Sequence, residues 1–319
     1  MKNLYLCPSA VMAGILFLLL PAATVQSQSL ASGQPRIAII KSGDIEPYNL
    51  AVEGIQENLR TNGFDPEYFS CNLKEQDDDR VGNIFKRKPE LILAVGSEAS
   101  IFCRDNFPGI PAVFFMVLFP PSGSGASEKS AMTGVVLRIP VVEQFRQFKD
   151  IVPDLETVGM LYDAEADPNR IKEISGAARK TGLELIARPV KSLQDISETL
   201  RKVLSESDSL WAEPVPRIYS SRTAREIILT TLRKKIPFMA FSSGYVRAGA
   251  LLALECDYLD IGKQSGEIAV RILKGENPGT IPVEYPRKTN LVINERTAKT
   301  IDLEIPLAIY EKASQIYGR

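Results

Sequence analysis

Hydrophobic and polar positions along this chain alternate between two periods. From position 36, short β-branched or apolar runs at 36–41, 66–71, 90–95 and 112–117 predict strands. The continuous apolar run at 90–95 suits a parallel sheet covered on both faces. Between these runs the spacing changes. Tyr48, Val52, Ile55 and Leu59 recur at intervals of three and four, which places them on one helical face; Pro47 lies near the first turn and Gly63 just past the end. A weaker helix is expected over 74–88, carrying Val81, Ile84 and Phe85, and another over 97–107. A Pro-, Ser- and Gly-rich loop at 120–131 leads to a strand at 132–137, where the first series ends.

The alternation then restarts. Val142, Phe145, Phe148 and Val152 mark a helix, 157–162 a strand, and Asp167 caps a helix that begins at Pro168, buries Ile171, Ile174 and Ala178, and stops at Gly182. A strand follows at 184–190. Ser192 and Asp195 form an acidic variant of the capping box ahead of Ile196, Leu200 and Val203. Strands at 209–213, 238–242 and 250–255, a helix at 221–235 and a helix at 258–274 capped by Asp257 complete the series. Strands alternating with helices predict parallel sheets, and two such series predict an α/β chain of two doubly wound, Rossmann-like lobes.

The first residues fix the expected compartment. Lys2 supplies a positive start, 10–20 is apolar and uncharged, and small or polar residues fill 22–28. That run is about half of the ~20 residues a membrane-spanning helix needs, so 1–27 reads as a signal peptide, cleaved after Ala23 or Ser27. Cys7 precedes the apolar run, and Leu4, Tyr5 and Leu6 do not form the small-residue site of a lipoprotein. A periplasmic chain without a lipid anchor is therefore expected.

Composition narrows the chemistry. Lys and Arg total 38 against 39 Asp and Glu, a net charge of −1 that becomes −2 once Lys2 is removed, and the charges are scattered; nucleic acid, which demands a clustered basic face, is not an expected partner. The chain has no histidine, which removes the usual base near neutral pH, the usual zinc ligand and every Ser-His or Cys-His arrangement. No metal or cofactor is expected. Cys71, Cys103 and Cys256 are far apart and odd in number, and read as small buried hydrophobes.

In doubly wound sheets ligands sit beyond the carboxyl ends of the strands, so the residues ending each strand carry the information. The first strand ends in Ser42, Gly43 and Asp44, followed by Tyr48; the third ends in Gly96 and Ser97 directly ahead of a helix, whose free N–H groups suit a ligand carboxylate. Asp44, Asp163 and Glu213 stand at strand ends as partners for an ammonium group, and Tyr48, Tyr162, Tyr219 and Tyr245 offer flat faces with a polar tip. No Ser-x-x-Lys motif lies near a strand end; Ser127, Glu128 and Lys129 fall in the loop.

The stretch 41–49, Lys-Ser-Gly-Asp-Ile-Glu-Pro-Tyr-Asn, and 89–96, Pro-Glu-Leu-Ile-Leu-Ala-Val-Gly, resemble the substrate-binding proteins of ABC importers with the type 1 periplasmic binding fold. The later segments 241–254, Phe-Ser-Ser-Gly-Tyr-Val-Arg-Ala-Gly-Ala-Leu-Leu-Ala-Leu, 260–262, Asp-Ile-Gly, and 281–294, beginning Ile-Pro-Val-Glu-Tyr-Pro-Arg, resemble that family's C-terminal signature. The resemblance runs from about Arg36 to Tyr310 and points to a subfamily with amino-acid and aromatic-amino-acid binders.

The resemblance implies a three-crossing hinge near Arg138, Cys256 and Ile281, with 28–138 plus 257–281 forming one lobe and 139–256 plus 282–319 the other. It implies a cleft built from Ser42, Gly43, Asp44, Tyr48, Gly96, Ser97 and Met116 of the first lobe, and Tyr162, Asp163, Glu213, Val215, Ser242 and Tyr245 of the second. The chain departs from the family pattern at 96–99, Gly-Ser-Glu-Ala, where relatives have Gly-Thr-Pro-Ala, and at 118–121, Leu-Phe-Pro-Pro, where they have Ser-Asp-Pro. The implied activity is capture of a small polar ligand by lobe closure and delivery to an ABC permease in the membrane, by a monomer and without catalysis. Two alternatives stay open on the residues alone: a receptor docking onto a sensor kinase, and a cleft enzyme such as a racemase using Cys71 and Cys256.

Overall fold

A computed structural model describes residues 34–124 and 130–319; the expected signal peptide, Cys7 and the 127–129 stretch lie outside the described residues. The first series folds as β1 (Arg36–Lys41), α1 (Glu46–Thr61), β2 (Glu67–Asn72), α2 (Arg80–Lys86), β3 (Leu91–Val95), α3 (Ser97–Asn106), β4 (Ala112–Val117) and β5 (Met132–Val136). Its five strands are all parallel, in the order β2-β1-β3-β4-β5. Successive side chains of a strand point to opposite faces, so each strand feeds two cores. Ile37, Ile39, Leu91, Leu93, Val113 and Phe115 pack on one face with Ile55 and Leu59 of α1, and Ala38, Ile40, Ile92, Ala94 and Phe114 on the other with Ala99 and Cys103 of α3.

The second series gives α4 (Val141–Ile151), β6 (Thr157–Asp163), α5 (Pro168–Lys180), β7 (Glu184–Val190), α6 (Ile196–Glu206), β8 (Ser209–Trp211), α7 (Ser221–Arg233), β9 (Phe238–Ala240), α8 (Ser243–Ala248) and β10 (Leu252–Cys256). The chain then returns to the first lobe as α9 (Tyr258–Leu273) and comes back as β11 (Thr289–Asn294), α10 (Glu295–Thr300), α11 (Leu307–Lys312) and β12 (Ala313–Tyr317). The second sheet runs β12-β11-β10-β9-β8-β6-β7. Phe145, Phe148 and Ile174 cover one face over Val158, Met160 and Leu252; Ile196, Leu200, Val203 and Ile227 cover the other over Leu161 and Leu210.

Several helix ends follow the expected chemistry. Asp167 accepts from the Asn169 N–H, Asp257 from the Asp260 N–H, and Ser192 and Asp195 form a reciprocal box. Other expectations are corrected. The second sheet is mixed, because β11 pairs antiparallel with β10. The helix expected over 74–88 is confined to Arg80–Lys86, and the strands expected at 209–213 and 238–242 end at Trp211 and Ala240, after which Pro214 and the turn into α8 break the pairing. The third crossing falls later than Ile281: the Glu284 N–H donates to the Gly134 carbonyl and the Val136 N–H to the Glu284 carbonyl, which holds the segment to the first sheet through Glu284. Among the described residues no helix is long and apolar enough to cross a membrane.

Candidate functional site

The carboxyl ends of β4, β5, β6, β8, β9 and β10 converge on one cleft of about 730 Å³ between the two sheets. From the first lobe come Leu118 and Phe119 after β4, and Leu137, Arg138 and Ile139 at the first crossing. The second lobe supplies Ala166, Asp167, Asn169, Arg170 and Glu173 around the start of α5, Gln144 of α4, Trp211 through Val215 after β8, and Phe241 and Ser242 after β9. Leu254, Glu255 and Cys256 at the end of β10, with Tyr258 opening α9, close the side at the second crossing.

Four aromatic residues, Phe119, Trp211, Phe241 and Tyr258, contribute to the walls. Trp211, the only tryptophan in the chain, stands edge-on to Phe145 at 5.2 Å, and its indole N–H donates to Gln144 Oε1 at 2.9 Å, which fixes the ring. Phe241 packs against Tyr245 at 4.9 Å and edge-on to Tyr219 at 5.9 Å, so a buried aromatic cluster backs the wall after β9. Phe119 faces it from the first lobe, 61% exposed, with the Arg138 guanidinium 5.2 Å over its ring.

The polar groups are largely committed to one another. Arg170 donates through Nε to Glu213 Oε1 at 2.9 Å, closes a second contact to the same oxygen through Nη2, and lies 2.7 Å through Nη1 from Glu173. Burial works against the Arg170 charge, but the hydrogen bonds and charges of Glu213 and Glu173 outweigh it and push its pKa up. Glu255 accepts from the Ser243 N–H at 2.7 Å. Burial, and then the charge of Glu255, raise the neighbouring Tyr258 phenol and push the Cys256 thiol up to about 12. Cys71, Cys103 and Cys256 are free thiols, Cys103 buried and the others half-buried. Among the described residues no group of three or more carboxylate or thiol side chains is arranged to hold a metal ion.

Of the residues expected at the cleft, Glu213, Val215 and Ser242 line this cavity. Ser42, Tyr48 and Gly96 are brought together at the ends of β1 and β3 but do not wall it: Ser42 Oγ accepts from the Ala99 N–H at 2.9 Å and so caps α3, while a Cβ on Gly96 would stand 2.5 Å from Tyr48 Oη. Gly43 lies open beside them, Ser97 is exposed on the first turn of α3, and exposed Asp44 pairs with Lys41 at 3.0 Å. Met116 is buried at the irregularity where β4 leaves register with β5, with a backbone φ of 59°, a left-handed conformation costly for a side chain of its size. Asp163 is held by Arg217 at 3.1 Å, and Tyr162 lies in a separate shallow depression with Lys172 and Arg179. Tyr245 sits behind Phe241.

Sequence reasoning missed Phe119, Arg138 as a wall, Arg170, Trp211, Phe241, Glu255 and Tyr258. Glu255 ends an expected strand, so the rule that pointed to Glu213 applied to it equally; Arg170 sits one turn inside a helix and carried no signal.

A two-lobed α/β fold with a cleft between its sheets is the class these features define. The chain belongs to the family of ABC transporter substrate binding proteins, whose model matches residues 36–317. A curated relative, a tyrosine-binding protein from Clostridioides difficile strain R20291, is 23% identical over 223 residues, 68% of this chain; the match spans 64% of that relative's length. Among solved structures, a ligand-free, open substrate-binding protein with adhesive properties from Clostridium difficile aligns with a TM-score of 0.76 at 20% identity, covering 89% of this chain and 100% of that one. An ABC domain in complex with L-Trp from Streptococcus pneumonia aligns at 0.62 and 22% identity with the same coverage. The fold is that of type 1 periplasmic binding proteins.

Proposed function

We propose that this chain captures a small amine-bearing solute, an amino acid or a related compound, in the hinge cleft and presents it outside the cytoplasm to an ABC permease. The carrying observation is the cleft itself: both lobes and the first two crossings contribute to its walls, so a ligand seated there touches both lobes. Contacts with both lobes favour a closed state over an open one, and only such differential affinity drives closure. The printed ligands of the relatives, tyrosine for one and L-Trp for another, support an aromatic amine-bearing guest. Ser42, Gly43, Asp44, Tyr48, Gly96, Ser97 and Met116 belong to this proposal as the first-lobe surface that joins the ligand on closure, with Glu213, Val215 and Ser242 as part of the second-lobe floor. The working unit is a monomer with lobes 28–138 plus 257–284 and 139–256 plus 285–319, the last boundary set by the pairing of Glu284 with the first sheet.

Trp211 supplies the readout, because a ligand entering its cleft changes the environment of the chain's single indole. Titration with free amino acids is expected to give a saturable change in emission, a fall in radius of gyration by small-angle scattering, and recovery of the ligand unchanged by mass spectrometry. A cleft that leaves both emission and scattering unaltered across that panel, or that converts its ligand, would defeat the proposal.

A further inference from the structure

The charge of the cleft is not balanced. Its walls carry the carboxylates Asp167, Glu173, Glu213 and Glu255 against the guanidiniums Arg138 and Arg170, an excess of two negative charges. Arg170 is already shared between Glu213 and Glu173. Arg138 lies over the rings of Phe119 and Tyr285, donates to Tyr285 Oη at 3.2 Å and stands 3.8 Å from Glu173. Asp167 is spent on the Asn169 N–H at 2.9 Å. Glu255 differs from Asp167 in burial: each has one backbone N–H as partner and, among the described residues, no Lys or Arg within ion-pair distance, but Asp167 is exposed and Glu255 half-buried.

A half-buried carboxylate between aromatic walls, without a counter-charge, attracts a cation more strongly than it would in water. Phe241, Trp211 and Tyr258 line the same cleft, and an aromatic ring attracts positive charge where its face is presented to it. A ligand carboxylate meets the opposite field and finds one guanidinium, already engaged by two rings and a hydroxyl.

From this imbalance we infer that the guest carries a net positive charge: an organic amine with an apolar or aromatic body and no free carboxylate, its ammonium received by Glu255. The inference rests on the reading of this cleft as the capture site, and it narrows the ligand from zwitterionic amino acids to cations such as their decarboxylated counterparts.

The test is a matched panel, tyramine against L-tyrosine, tryptamine against L-tryptophan and cadaverine against L-lysine, titrated into the chain by calorimetry and Trp211 emission. Glu255→Gln is the informative variant because the glutamine oxygen still accepts from the Ser243 N–H, so the cap survives and only the charge is lost; an unchanged melting temperature checks this. At least one amine is expected to bind tenfold or more tighter than its parent acid, to weaken as salt is raised, and to lose tenfold or more in Glu255→Gln. If the amino acids bind as tightly as their amines, or the variant holds the amine as well as the wild type, the inference is overturned while capture stands. If no compound alters emission, enthalpy or scattering, capture and inference fall together.

Discussion

At the scale of the residue, two positions are set by burial and backbone geometry. Gly96 has φ of 87°, and a Cβ there would meet Tyr48 Oη at 2.5 Å and Ser42 Oγ at 2.7 Å. Gly96→Ala therefore carries both a strained backbone and a collision, and is expected to cost about 2 kcal/mol in urea denaturation. Combining it with Tyr48→Phe removes the nearest atom but leaves Ser42 Oγ at 2.7 Å and the ring carbon Cζ at 2.8 Å, so only a small part of the loss should be recovered. Cys256 and Tyr68 respond to alkali. Burial pushes the Cys256 thiol to about 12 from 9.0 and the Tyr68 phenol to about 12 from 10.0. Above pH 9 the unfolded chain loses these protons first and so binds fewer than the native chain, which makes stability fall as pH rises toward 12. Thermal denaturation across that window is expected to show a decline that Cys256→Ser reduces. At neutral pH the same shift keeps Cys256 protonated, so its alkylation should be slow until the chain is unfolded.

At the scale of the element, the return helix is seated by glycine. A Cβ at Gly262 of α9 would lie 2.0 Å from the Ala51 carbonyl of α1, one at Gly54 of α1 2.1 Å from the Leu259 carbonyl, and one at Gly266 2.6 Å from Asn58 Cβ. Those positions recur every three or four residues, so the two backbones touch along one seam. Gly262→Leu must part the helices, and a loss of about 3 kcal/mol or failure to fold is expected by denaturation. The third crossing is anchored to the same helix. Buried Asp260 accepts from Arg287 Nε at 2.9 Å, Arg287 also reaches Glu267 at 2.8 Å, and Gln264 donates to Glu284 and to the Tyr285 carbonyl. Asp260→Ala leaves Arg287 with Glu267 alone and is expected to cost about 2 kcal/mol, the Arg287 side chain being 43% exposed and partly screened.

At the scale of the whole molecule, the two cores are separate and three crossings join them. Among the described residues the ion pairs that reach between lobes stay at the crossings: Arg138 with Glu173 at 3.8 Å, Asp260 with Arg287 and Lys288, and Glu267 with Arg287. A pair as long and as solvated as the first contributes little. If the lobes close as proposed, the balance between the two forms is expected to depend on ligand and hardly on ionic strength. Small-angle scattering of the ligand-free chain should return the same radius of gyration from low salt to about half-molar salt, where surface charges are screened beyond ~4 Å.

The two-lobed α/β plan was legible in the order of residues because each signal is local: short continuous apolar runs at β1 and β3, three-and-four spacing at α1 and α5, and short-range caps at Asp167, Asp257 and Ser192. Family membership was legible for the same reason, since its motifs are contiguous segments. What no local pattern contains is the partner of a strand or of a glycine. The antiparallel pairing of β11 with β10, the glycine seam between α1 and α9, and the hold of the first sheet on Glu284 join positions tens or hundreds of residues apart. The cleft divides in the same way: reading strand ends led to Glu213, Val215 and Ser242, which line the cavity, and equally to Ser42, Gly96 and Ser97, which do not. That Phe119, Arg138 and Glu255 line one cavity was decided by how the lobes meet at the crossings, a relation that exists only once both cores have formed.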